Sequence, residues 1–261
     1  MNASRLAFCR LLLGSSAAVL WAAVSSAVPT LEISIGVRET GSTQPIGAPG
    51  GTGGGIEWVN LDGQTLIADG TWQTFTFDFA NDPLTPFAGA TANGVRDTTT
   101  GTLEHIRFRS TGDAGPWTIY IDDVSQTTSA GPTLLTGFEG FALGDEVMFQ
   151  EPGFSGSTSG SLQPGSIAGI SNSEALTGSQ SYQLDFEWVD NDPSRWMRLT
   201  TFNTAILGNP TLWFADATGG QNTLQFSLLA LGPDGSVPEP TNLVLLLLGL
   251  GAIPFARSRA R

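Results

Sequence analysis

The side chains with the most chemical potential in this chain are carboxylates and indoles. The pair Asp122-Asp123 ends the run Trp117-Thr118-Ile119-Tyr120-Ile121, and a second acidic stretch spans Glu139 to Glu146. If folding joins them, Asp123, Glu139 and Asp145, with backbone carbonyls, offer the hard oxygen donors that calcium takes. The same acids also suit solvated turns. Outside the N-terminal apolar run lie six tryptophans: Trp58, Trp72, Trp117, Trp188, Trp196 and Trp213. An indole face can stack on a sugar ring or pack into a core. Trp72 and Trp188 follow the apolar phase of their segments and read as core. Trp196, beside Arg195 and Arg198 after Asp190-Asn191-Asp192-Pro193, and Trp213 are the candidates for a ligand-binding surface.

Catalytic readings have less to work with. The one histidine, His105, sits in Glu104-His105-Ile106-Arg107-Phe108 on the face opposite Ile106 and Phe108, where it is expected to meet solvent. No Ser-His or Cys-His apparatus can be assembled around it. The run Gly50-Gly51-Thr52-Gly53-Gly54-Gly55 lacks the Lys and Ser/Thr end of a phosphate loop, and it leads into the strand-like Ile56-Glu57-Trp58-Val59. Glu57 and Glu187 are a conceivable glycosidase pair, because that chemistry needs two acids at a set separation. Nothing in the sequence sets their distance, and the chain reads as a non-enzyme.

The elements that must position these residues are strands. Apolar residues alternate in Leu31-Ile33-Ile35-Val37, Phe75-Phe77-Phe79, Ile106-Phe108, Tyr182-Leu184-Phe186-Trp188 and Leu224-Phe226-Leu228, with polar residues between them. A period of two puts one face on a core and the other in water. Gly-, Ser-, Thr- and Pro-rich stretches such as Gly47 to Gly55 and Gly153 to Gly165 separate the strands as turns. No interior segment carries a capped helical stripe. The expected fold class is all-β, an antiparallel β-sandwich of the jelly-roll kind, with a short hydrophobic C-terminal helix.

The two ends read differently. Met1 to Ala27 places Arg5 and Arg10 before an apolar stretch from Leu11 to Val24 that closes on Ser25-Ser26-Ala27, the layout of a signal peptide cleaved after Ala27. Signal peptidase and the export machinery are the implied partners. From Glu32 to Glu239 the chain carries six arginines, no lysine and no cysteine, against 24 acids, a formal charge of about −18. Such a surface repels nucleic acid and excludes it as a partner. Without disulfides, stability must come from a core. Residues 28–236 provide ample length for one sandwich.

At the C-terminus, Val237-Pro238-Glu239-Pro240 precedes an apolar run from Leu243 to Ala256 and a basic tip of Arg257, Arg259 and Arg261. The prolines keep the motif extended, the run favours a bilayer, and the arginines hold the last residues in the cytoplasm. This order resembles the PEP-CTERM sorting signal of Gram-negative bacteria. The resemblance covers residues 237–261 and implies processing by an exosortase, transient membrane insertion of the tail as a transmembrane helix, and delivery to the cell surface or the extracellular space with a transiently membrane-anchored C-terminus.

The body carries a second resemblance. Thr71 to Phe79, Leu103 to Phe108 and Trp117 to Val124 resemble the closing strands of galactose-binding-like jelly rolls, a group that includes carbohydrate-binding modules. Gly137-Phe138-Glu139-Gly140-Phe141 and Leu176 to Tyr182 resemble their opening strands, yet here they come later. A circular permutation, with later strands in 31–124 and earlier strands in 137–231 joined by a linker from Ser125 to Gly137, accounts for the order. Two partial repeats are the alternative. In such jelly rolls a structural calcium often sits near the joined ends, and the resemblance extends that role to Asp123 and Glu139. The expected function is a non-catalytic structural component of the cell surface or extracellular matrix. The alternative is a carbohydrate-binding module whose partner is an extracellular polysaccharide, and a glycoside hydrolase comes third.

Overall fold

Alternation in the sequence becomes two antiparallel sheets. The structure is a computed structural model that describes residues 27–39, 55–201, 207, 209–215 and 222–233. In chain order the strands are β1 (Thr30–Arg38), β2 (Ile56–Ile67), β3 (Asp69–Asp78), β4 (Leu84–Ala88), β5 (Thr100–Ser110), β6 (Trp117–Thr128), β7 (Gly131–Thr136), β8 (Ile167–Ser171), β9 (Ser181–Phe186), β10 (Trp196–Thr200), β11 (Thr211–Trp213) and β12 (Thr223–Leu231). Sheet A runs β10-β5-β1-β2-β4, with β11 also on β5. Sheet B runs β3-β12-β6-β9-β8, with β7 also on β6.

Strands from before and after residue 130 pair within each sheet, and their inner faces meet in one core. Leu31, Ile33, Ile35, Val59, Ile106, Phe108 and Leu199 of sheet A face Phe75, Phe77, Ile119, Tyr182, Leu184, Leu224 and Phe226 of sheet B, all buried. Burying each such side chain contributes about 1.5–3 kcal/mol. Phe75 and Phe77 both stack on Phe226 across the β3–β12 pair. Trp188 is fully buried, as its phase predicts, and Trp72 is half-buried. The stretch from Ser125 to Gly137 is a hairpin, because β6 continues to Thr128 and β7 folds back on it. A side chain at Gly232 would lie against Pro29 and Ala68, so the two ends of the sandwich emerge side by side.

The expected hydrophobic C-terminal helix needs correction. Among the described residues the helical structure is one 3-10 turn at Ser159–Ser161, and no helix is long and apolar enough to cross a membrane. The expected transmembrane helix, transient membrane insertion of the tail and transiently membrane-anchored C-terminus are corrected with it, since no helix among the described residues supplies them. The physical reason is length and composition. Apolar residues of the body alternate and so build half-buried strands, and the run from Leu243 to Ala256 has 14 residues broken by Gly249, Gly251 and Pro254, short of the roughly 20 that a span requires. That run, the Val237-Pro238-Glu239-Pro240 motif, the basic tip and residues 1–26 lie outside the described residues.

Candidate functional site

Sheet A carries an unusual cluster on its outer face, and a β-bulge creates it. In the β1–β5 pair, Gly36 stands opposite His105 and Val37 opposite Leu103, so Glu104 is an extra residue on β5. In a regular strand Glu104 and His105 would point to opposite faces. The bulge turns both outward while Leu103 and Ile106 stay in the core. Their side chains therefore meet: His105 Nδ1 donates to Glu104 Oε2.

Space for the imidazole comes from Gly36. A β-carbon there would lie 1.9 Å from His105 Cε1, so only glycine fits beneath the ring. Above it sits an aromatic lid. Trp58 stacks on Phe87 at 4.3 Å between ring centroids, and Trp196 meets both edge-on at 5.7 and 5.9 Å. Phe87 also lies edge-on to His105. His105 is thus fully buried, where the strand phase had predicted solvent exposure. The phase does place it on the outer face, but neighbouring rings cover it.

Hydrogen bonding assigns the charge states. The indole N–H of Trp58 donates to His105 Nε2 at 3.1 Å, and an indole can only donate. Nε2 must therefore be an acceptor, Nδ1 carries the proton, and the imidazole is neutral. Its pKa is lowered accordingly: burial outweighs the pull of Glu104, and Arg198 and Arg107 add to the depression. Burial also opposes ionisation of Glu104, but His105 and Arg198 hold its carboxyl down to about 2. Arg198 grips that carboxylate with two donors, Nε at 3.2 Å to Oε2 and Nη2 to Oε1. Arg38 Nη2 approaches Oε1 at 4.0 Å.

A third guanidinium completes the cluster. Arg107 lies 5.7 and 5.6 Å from the ring centres of Trp58 and Trp196, and it donates to Ser34 Oγ and the Leu61 carbonyl. Arg198 in turn lies 5.3 Å from the Phe87 ring centre. Cation–π contacts of this kind gain from desolvation. Around Arg198 opens a cleft of about 270 Å³, lined also by Arg38, Glu104 and Thr200 and by Phe154, Ser155 and Gly156. Phe154 is 44% exposed. The loop bearing it is tied down through the amide of Arg198, which donates to Thr158 Oγ1.

The residues singled out by type fall in several places. Trp196 belongs to the aromatic lid, whereas Trp213 is exposed at the far end of β5, its backbone clasped by the Gln126 amide. Asp123 accepts from the Thr177 hydroxyl, and Glu139 accepts from Ser179 and Gln180. Both carboxylates thus hold the segment before β9. Asp145 lies in the turn that joins Ala142 and Ile170 through backbone bonds. Among the described residues no three His, Cys, Asp or Glu side chains gather as a metal-holding group. Glu57 is buried and accepts the amides of Asn93 and Gly94, while Glu187 is exposed beyond β9 on the other sheet. Residue type alone did not single out Glu104, Arg198, Arg38, Phe87 or Phe154 as a site. The one usable signal was Gly36, an isolated glycine in a strand pattern that marks a bulge or a close approach.

No family model matches the chain, and no curated protein or solved structure matches it either.

Proposed function

We propose that the chain is a non-catalytic glycan-binding β-sandwich whose binding face is the outer surface of sheet A. The observation that carries this reading is the cleft that the exposed Phe154 lines together with Arg38, Glu104 and Arg198. A pyranose offers an apolar C–H face and a rim of hydroxyls. An aromatic face takes the first, and a charged donor and acceptor pair takes the second. The lid of Trp58, Phe87 and Trp196, joined to the cleft through Arg198, extends the platform.

Glycoside hydrolysis suits this geometry poorly. Glu104 is held ionised and already gripped by Arg198, so it has no proton to give near neutral pH. His105 is neutral, buried and saturated at both nitrogens. A purely structural role in a matrix leaves the exposed Phe154 and the charged cleft without a task.

The test is a titration of the full chain with a panel of soluble polysaccharides, read by tryptophan fluorescence. At least one is expected to shift the emission, because Trp58 and Trp196 border the site. Phe154→Ala should weaken the binding that the shift reports without changing the melting temperature. If no polysaccharide shifts the emission, the binding role is wrong and a structural one replaces it.

A further inference from the structure

Charge is distributed unevenly over this molecule. The stretch from Glu32 to Glu239 carries about −18, yet Arg38, Arg107, Arg109 and Arg198 all stand on β1, β5 and β10 of sheet A. On that face they form ion pairs with two carboxylates, Glu104 with Arg38 and Arg198, and Glu32 with Arg109 at 3.1 Å. Among the described residues no carboxylate lies within 4.0 Å of Arg107, and its Nε, buried, has no hydrogen-bond partner. His105 adds no charge, since the indole of Trp58 holds it neutral. Arg198 spends Nε and Nη2 on Glu104, leaving its Nη1 amino group for a ligand. On β1, β5 and β10 four arginines thus stand against Glu32 and Glu104, a local excess of positive charge in an acidic protein. The neighbouring β2 brings Asp62 and Glu57, the latter buried and taken up by the amides of Asn93 and Gly94.

We infer that the ligand is an acidic glycan, a polymer of uronic-acid residues whose carboxylate docks on the Arg38–Arg198 side of the cleft while a ring face stacks on Phe154. This rests on the glycan-binding reading and narrows it to one substrate class. Guanidinium is the group that matches carboxylate geometry. A neutral glycan would not use the excess charge. A free anion such as phosphate would not use Phe154. The acidic remainder of the surface repels a polyanion everywhere else, which confines it to this face.

The full chain is titrated with polygalacturonate, with a neutral galactan and with polyglutamate, at low and at high ionic strength. Polygalacturonate is expected to bind on the order of tenfold or more tightly than the galactan, and the preference should shrink as salt screens it. Arg38→Gln should weaken polygalacturonate on the order of tenfold and leave the galactan unchanged. Phe154→Ala, an exposed position that does not threaten folding, should weaken both. Equal binding of the two glycans, or no effect of salt, overturns the acidic-ligand inference and leaves glycan binding standing. Polyglutamate binding as tightly as polygalacturonate overturns it in favour of a general anion face. Binding of neither glycan removes the glycan reading itself. If Arg38→Gln does not fold, the salt dependence and the Phe154→Ala titrations decide the matter.

Discussion

The indole nitrogen of Trp58 stands 3.1 Å from Nε2 of His105, donating across the outer face of sheet A. That single contact sets the protonation of the histidine, because a protonated ring would present a second N–H to a group that cannot accept. With Nε2 occupied, the proton sits on Nδ1 and points at Glu104. Glu104 is then free to carry its charge toward Arg198 and Arg38. A fixed neutral tautomer thus separates an aromatic lid from an ion-paired cleft.

The same contact predicts a pH profile. Burial, with Arg198 and Arg107, keeps the folded-state pKa of His105 below its ordinary 6.5 despite the pull of Glu104. As pH falls the unfolded chain binds the proton first, so stability is full above about 6.5 and declines as pH drops toward the folded value. Glu104 opens a second window: its contribution is full above 4.5 and is lost as pH falls toward about 2. Urea midpoints measured from pH 8 downward should show both declines. In Trp58→Phe the imidazole loses the donor that forbids its protonation, and the first decline should flatten. An unchanged slope would mean that the indole does not control the histidine.

Gly36 admits no side chain while the imidazole is in place. Gly36→Ala forces a methyl group into His105, and overpacking of a buried site costs about 1–3 kcal/mol. Thermal melts should show that loss. In a His105→Ala background the same change should be close to neutral, since the clashing ring is gone. Equal destabilisation in both backgrounds would place the conflict elsewhere.

Glu104 and Arg198 should behave as one unit. Breaking a buried ion pair from one side costs about 3–5 kcal/mol, because the partner is left as an uncompensated charge. Glu104→Gln is expected at the lower end of that range, since Arg198 keeps some contact with water while Glu104 is almost fully enclosed. Arg198→Gln should do at least as much harm. The double variant should cost clearly less than the sum of the two, as measured by urea unfolding in a double-mutant cycle. Simple additivity would show that the pair is not coupled.

On the opposite sheet Asp122 is the anchor of the segment before β9. Its carboxylate accepts from the amides of Asp123 at 2.7 Å, Leu176 at 2.8 Å and Thr177 at 3.1 Å. Asp122→Ala leaves three amides without their acceptor, a loss on the order of 3 kcal/mol. Residues 174–180 should then become the first site of limited proteolysis. Protection equal to that of the unaltered chain would assign the anchoring to Glu139 and its bonds to Ser179 and Gln180 alone.

Much of the architecture was legible before folding. Phe75, Phe77 and Phe79 alternate with Thr74, Thr76 and Asp78, and the structure buries all three rings. Tyr182 to Trp188 behaves the same way, so the core positions follow from period two. The site was less legible. Trp196 could be picked out as a surface aromatic, but its neighbours Trp58 and Phe87 come from β2 and β4, far away in sequence, and only strand pairing makes them adjacent. Asp123 and Glu139 were readable as oxygen donors. Whether those oxygens face an ion or the chain's own amides depends on where the segment around Thr177 lies.

By itself the sequence determined an acidic, lysine-free chain, without cysteine beyond Cys9, whose alternating strands have to close into an all-β sandwich, because half-buried strands need a second sheet to cover them. Tertiary structure alone decided the chemistry of the outer face. A single extra residue in β5 reverses the direction of Glu104, the absence of a β-carbon at Gly36 lets His105 lie flat, and rings from three other strands close over it. Alternation is a local property of one strand and can be read from it. A bulge is a property of a pair, and it exists only once β1 and β5 have met.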